Sequence, residues 1–133
     1  PRVQHWFTVD SLSHLYRGGR LSAVSAIVGG ALGIKPVLTL DAAGRLVPAA
    51  KIRGRRAALL SLAARLEENG YDPDACPDLI IGHADAEADA RFLAGAVRER
   101  YPGAQIILCP LGAVIGSHTG PGTVTLLFLG ARR

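Results

Sequence analysis

Apolar residues follow two rhythms along this chain, and the changes of rhythm mark its elements. Short apolar runs bounded by turn residues predict strands at His5–Val9, Ile34–Leu40, Leu79–Gly82, Gln105–Leu108 and Thr123–Leu129. Asp41-Ala42-Ala43-Gly44 reads as a turn that brings Arg45–Ala50 back as a hairpin partner of Ile34–Leu40. Pro36 has no backbone N–H to give a ladder, which pushes its strand towards a sheet edge or a strand start. Helical spacing predicts Ser11–Tyr16, with Asp10 as N-cap and Gly18-Gly19 as the break. A second helix over Leu21–Leu32 is apolar on nearly every side, with Ser22 and Ser25 as exceptions, and Gly33 ends it. A third runs from Arg53 to Asn69, with Leu59, Leu62, Ala63 and Leu66 on one face and Gly70 as its stop. A fourth covers Asp85–Arg100, and Leu111–Ser117 leads into a glycine-rich loop before the last strand. The order β-α-α-β-β-α-β-α-β-α-β predicts an α/β fold, a two-layer domain with a mixed sheet of about six strands and packed helices.

Composition narrows the class. At 133 residues, 49% apolar and 20% charged, the chain reads as one globular domain. Its longest charge-free apolar stretch, Leu21–Ile34, is shorter than the roughly 20 residues a membrane span needs. No basic-plus-apolar leader opens the sequence, so a soluble, cytoplasmic protein is expected. The chain has no methionine and its first strand starts near the terminus, which fits a fragment whose upstream domain is missing. Cys76 and Cys109 belong to no CxxC, and the four histidines show no ligand spacing with them. Neither a metal, nor a cofactor, nor a disulfide scaffold is expected. The net charge of +4 rests on arginine, which suggests anionic partners. Nucleic acid is not expected among them, because the few aromatics are scattered rather than interleaved with the arginines.

Three features carry candidate chemistry. Gly116-Ser117-His118-Thr119-Gly120-Pro121-Gly122 sets an imidazole beside a hydroxyl on a backbone nearly bare of side chains, a kit for holding a carboxylate or phosphate. The same residues would also serve as a tight turn with a capping Thr and a hydrogen-bonded histidine. Next, Gly18-Gly19-Arg20 offers a free backbone followed by a guanidinium that can fork onto a carboxylate, or simply a helix end with a surface arginine. Finally, Arg53, Arg55 and Arg56 crowd the positive end of their helix while Glu67 and Glu68 sit at its negative end. The Asp85–Arg100 helix does the opposite, with acids first and bases last. Reversed charge marks either an anion-docking point or a solvated basic face. The all-apolar Leu21–Leu32 helix must be covered on every side, by a missing domain, an oligomer or an apolar ligand. A polar grip beside abundant aliphatic surface describes a site for an amphiphile.

Val9-Asp10-Ser11-Leu12 followed by Leu15-Tyr16-Arg17-Gly18-Gly19-Arg20-Leu21-Ser22 resembles the DegV family of bacterial fatty-acid-binding proteins. Ile34-Lys35-Pro36-Val37-Leu38, Lys51-Ile52-Arg53-Gly54-Arg55-Arg56-Ala57 and Gly116–Gly122 match further family blocks in order; Leu21 and Ser117 stand where Ile and Thr are common. The resemblance implies a two-domain protein of which residues 1–133 form the C-terminal domain, without the N-terminal one. It implies that Arg20, His118 and Thr119 belong to the polar network around a fatty acid carboxylate, completed by Ser and Thr residues of the N-terminal domain. It also implies a carrier without catalytic residues, which presents its long-chain fatty acid to a fatty acid kinase and docks through a surface that includes Arg53. Transient membrane contact is a further expectation. A phosphotransferase-related domain, with His118 as acid/base or phosphate acceptor, is the alternative, although the chain has no Walker GxxxxGK[ST] and no obvious carboxylate cluster for Mg²⁺. A domain whose apolar helix merely packs on a partner is a third.

Overall fold

Strand pairing organises the chain. The computed structural model describes residues 3–19 and 33–131, so Arg20 and the expected Leu21–Leu32 helix lie outside the described residues. The elements are β1 (Val3–Thr8), α1 (Ser13–Arg17), β2 (Ile34–Leu40), β3 (Leu46–Arg53), α2 (Arg55–Glu68), β4 (Asp78–Ala84), α3 (Glu87–Arg100), β5 (Gln105–Pro110), α4 (Ala113–Thr119) and β6 (Thr123–Leu129). They form a mixed six-stranded sheet in the order β3-β2-β1-β6-β4-β5. Every pair is antiparallel except β4–β5, and α3 makes the crossover that a parallel pair requires. This is the expected α/β architecture.

Period-two alternation sorts the strand residues between two faces. Leu79 and Ile81 of β4 and Val124, Leu126 and Phe128 of β6 turn to one face, where they meet Leu59, Leu62 and Leu66 of α2 and Leu93, Ala94 and Val97 of α3. Tyr71, between α2 and β4, sets its ring edge-on to Tyr101 and Phe128, with centroids 5.2 and 5.9 Å away. A smaller cluster of Phe7, Val9, Leu15 and Leu38 occupies the other face, under α1. Two elements of that side, α1 and α4, touch each other. They leave Ile80, Ile107 and Leu129, the alternates of the core positions, exposed.

Several element boundaries differ from the sequence reading, each for a local reason. The β1 strand is displaced towards the N-terminus, since its partner β6 pairs from Val3↔Leu129 to Thr8↔Val124. The Arg45–Ala50 partner runs on to Arg53, because β2 offers pairing as far back as Ile34↔Arg53. As a result α2 starts at Arg55 rather than Arg53, with Gly54 turning the corner at φ 90°. Pro36 does not mark a sheet edge: β2 lies between β3 and β1. Its missing donor is tolerated because the β1 ladder ends at Thr8↔Val37, and the Thr8 hydroxyl instead donates to the Pro36 carbonyl at 2.8 Å. Asp10 does not cap α1, which begins at Ser13 with no side-chain cap. Lys35 draws the carboxylate away into an ion pair.

Candidate functional site

A cleft of about 660 Å³ lies on the sheet face opposite α2 and α3, within the usual size range of small-molecule sites. Its floor is made by β1 and β6, whose register His5↔Leu127 and Phe7↔Thr125 presents these four residues to the cleft. Leu15 of α1 and Val114 and Ile115 of α4 form the walls, and Leu40 and Leu46 extend it to the β2–β3 turn. One end, near the start of β6, holds His118 and Thr119; the other holds Arg45. On β1 the cleft spans His5 to Phe7, and it crosses from β6 over β1 to the β2–β3 turn.

His118 and Thr119 form the last turn of α4, and the loop proper begins only at Gly120, at φ 82°. Thr119 is buried, and its hydroxyl donates to the Ile115 carbonyl at 3.0 Å, which leaves its lone pairs free to accept. His118 is half-buried at the cleft edge. The Gly120-Pro121-Gly122 loop is fixed at almost every backbone group. Gly120 N–H donates to Gly116 O at 2.7 Å and Gly122 N–H to Ala84 O at 2.8 Å. Thr123 Oγ1 donates to Gly120 O at 2.8 Å, and Arg55 Nη2 donates to Gly122 O. A β-carbon on Gly120 would fall on the His14 ring, and one on Gly122 would stand 2.5 Å from Asp10 Cβ. Glycine is therefore required here by close approach as well as by a positive φ.

Of the Gly18-Gly19 pair, only Gly19 uses glycine's conformational freedom, at φ 76°; Gly18 has an ordinary φ of −77°. Gly19 lines the cleft, and Arg20, the next residue, lies outside the described residues.

The arginines separate. Arg53 is exposed at the end of the edge strand β3 and does not line the cleft. Arg55 turns to Asp89 of α3 at 2.8 Å, and Arg56 stacks its guanidinium 4.2 Å from the Phe92 ring centre. At the other end of α2, Glu67 pairs with Arg100 and Glu68 with Arg65. The reversed charge of α2 is thus answered mainly by side chains of α3, a partnership neither the docking-point nor the solvated-face reading contained. Beside it, the hydrogen bond from Lys35 holds the Asp10 carboxyl below the usual carboxylate range, against a smaller opposing effect of burial. Among the described residues no cluster of His, Cys, Asp and Glu has metal-site geometry, and Cys76 and Cys109 are free thiols. No helix among the described residues is long and apolar enough to cross a membrane.

Sequence reasoning found His118 and Thr119 but missed His5, Thr125 and Leu127. Their alternation was readable; which sheet face stays open was not, since that depends on where α2 and α3 dock.

Comparison with known proteins places this geometry. A family model described as "Uncharacterised protein, DegV family" matches residues 1–131. A DegV domain-containing protein of Clostridium perfringens is 46% identical over 129 residues, 97% of this chain and 44% of the relative. The structure of DegV, a fatty acid binding protein from Bacillus subtilis, matches with TM-score 0.76 at 34% identity, over 97% of this chain and 45% of that one. A DegV family protein from Eubacterium eligens loaded with heptadecanoic acid matches with TM-score 0.84 at 26% identity, over 97% and 46%. The chain therefore spans less than half the length of these relatives. Matched along nearly its whole length by family model, sequence relative and fold alike, this chain belongs to the DegV family.

Proposed function

We propose that residues 1–133 act as the C-terminal domain of a fatty acid carrier and hold a long-chain fatty acid in the cleft between α1 and α4. The observation that carries this reading is the cleft itself: aliphatic and aromatic walls around about 660 Å³, with an imidazole and a hydroxyl at one end. Burying an acyl chain gains about 0.8 kcal/mol per CH₂, while its carboxylate needs hydrogen-bond partners to be buried at all. In this reading His118 and Arg20 donate to the carboxylate. Thr119 joins them by turning its hydroxyl away from Ile115, and the N-terminal half of the longer relatives supplies the remaining contacts. The fatty acid is cargo rather than a cofactor, and the domain contributes no catalytic residue.

Presentation to a fatty acid kinase follows from the same family likeness, with exposed Arg53 on the docking surface. The protein then works in the cytoplasm and meets membranes only transiently, when cargo is exchanged. Native mass spectrometry of the full chain, with lipid analysis of its organic extract, tests the carrier reading. One fatty acid per chain is expected; a ligand-free mass that resists loading with added fatty acid rejects it. Arg20→Ala and His118→Ala are expected to weaken fatty acid retention by roughly tenfold each, the loss of a charge-assisted hydrogen bond. Two variants that retain lipid like the parent remove the head-group assignment. Arg53→Glu is expected to leave lipid content intact and slow phosphorylation by the kinase, and lipid loss instead would reject its docking role.

A further inference from the structure

Gly18 closes α1 at φ −77° and ψ 4°, a conformation open to any residue. Space, not backbone freedom, makes glycine necessary there. A β-carbon built on Gly18 would stand 2.5 Å from His118 Nδ1, 3.2 Å from the His14 carbonyl oxygen and 3.5 Å from His118 Cε1. The imidazole of α4 therefore rests on the bare face of the residue just past α1. Across the same junction the His14 ring of α1 rests on Gly120, just past α4. Helices of 5 and 7 residues are too short to hold themselves rigid. The direction of the His118 ring is consequently set by this reciprocal contact.

Taking His118 as a carboxylate partner, as the proposed function does, we propose that Gly18 is a positioning residue for the head-group site. Its bare face seats the Nδ1 edge of the His118 ring and leaves Nε2 as the nitrogen that addresses the ligand. The pair Gly18–His118 then acts as one unit, although the two residues are far apart in sequence and Gly18 touches no ligand.

Gly18→Ala tests this without backbone strain, in the full chain with oleate as probe. The variant is expected to lose oleate affinity by roughly tenfold, close to the loss in His118→Ala, and the double variant to lose no more than either one. It is also expected to shift the imidazole nitrogen resonances of His118 before any oleate is added. Parental affinity in Gly18→Ala, or an equal further loss when Gly18→Ala is added to His118→Ala, overturns the proposal. If His118→Ala itself binds oleate normally, the head-group reading fails. The resonance alone then judges the seat: a shifted His118 ring in Gly18→Ala upholds it, and an unmoved ring overturns it. If Gly18→Ala does not fold, the double variant, in which the ring is gone, is expected to restore folding, and continued failure to fold also overturns it.

Discussion

Ile81 and Ile80 are neighbours on β4, yet one is fully buried and the other 39% exposed. The same contrast runs across the sheet. On one face, β4 and β6 send Leu and Ile side chains into a layer closed by α2 and α3. On the other, among the described residues, equally apolar residues meet only the short helices α1 and α4, and Ile107 and Val114 stand 54% and 75% exposed. Apolar surface covered by the chain's own helices stabilises the fold. The same surface left open costs stability and gains a place for an apolar ligand. The closed face holds the domain together and the open face carries the cleft.

Substitutions divide along this line. Leu62→Ala, at a fully buried position of α2, is expected to cost 2 to 5, typically about 3, kcal/mol in urea unfolding. Lipid bound per folded molecule should stay unchanged; parallel loss of lipid from folded protein would erase the division. Tyr71 probes the rim of the closed face. Its hydroxyl donates to the Pro77 carbonyl at 2.9 Å, and burial pushes its pKa from the ordinary 10.0 up to about 12. A raised phenol pKa stabilises the fold fully below pH 10 and progressively less as pH rises towards 12. Tyr71→Phe should therefore lose about 1 kcal/mol at neutral pH, the hydrogen bond, yet soften less than the parent in alkaline thermal melts. Identical alkaline slopes would show that Tyr71 does not govern that limb. The smallest stability effect belongs to the open face. Ile115→Ala, at a 54% exposed site, should change unfolding by no more than about 0.5 kcal/mol. Its fatty acid affinity should still fall several-fold, measured by calorimetric titration, and unaltered affinity would take Ile115 off the acyl path.

Legibility followed the range of the forces involved. Ile34–Leu40 and Thr123–Leu129 were readable to the residue, since their boundaries are set by local glycine and turn residues. The α/β order was readable because alternation and helical spacing are local patterns. Asp10 misled, because Lys35, which takes its carboxylate, lies 25 residues on. Arg55 misled in the same way, with Asp89 a further 34 residues along. At the site, His118 and Thr119 stood out as chemistry. Gly18 was legible as a glycine, but not as the floor under an imidazole, a contact only the α1–α4 junction creates.

The ion pairs at the two ends of α2 and α3 have a consequence for assembly. Arg55–Asp89 joins the first turns and Glu67–Arg100 the last, so the helices run in the same direction with their dipoles side by side. Had both helices carried the usual acids-first pattern, like charge would face like at each end. Because α2 is written backwards, the parallel arrangement matches at both ends. An antiparallel one would set Arg55 near Arg100 and Glu67 near Asp89. The charge pattern thus labels orientation: it favours the parallel packing of α2 and α3 and penalises the reversed one.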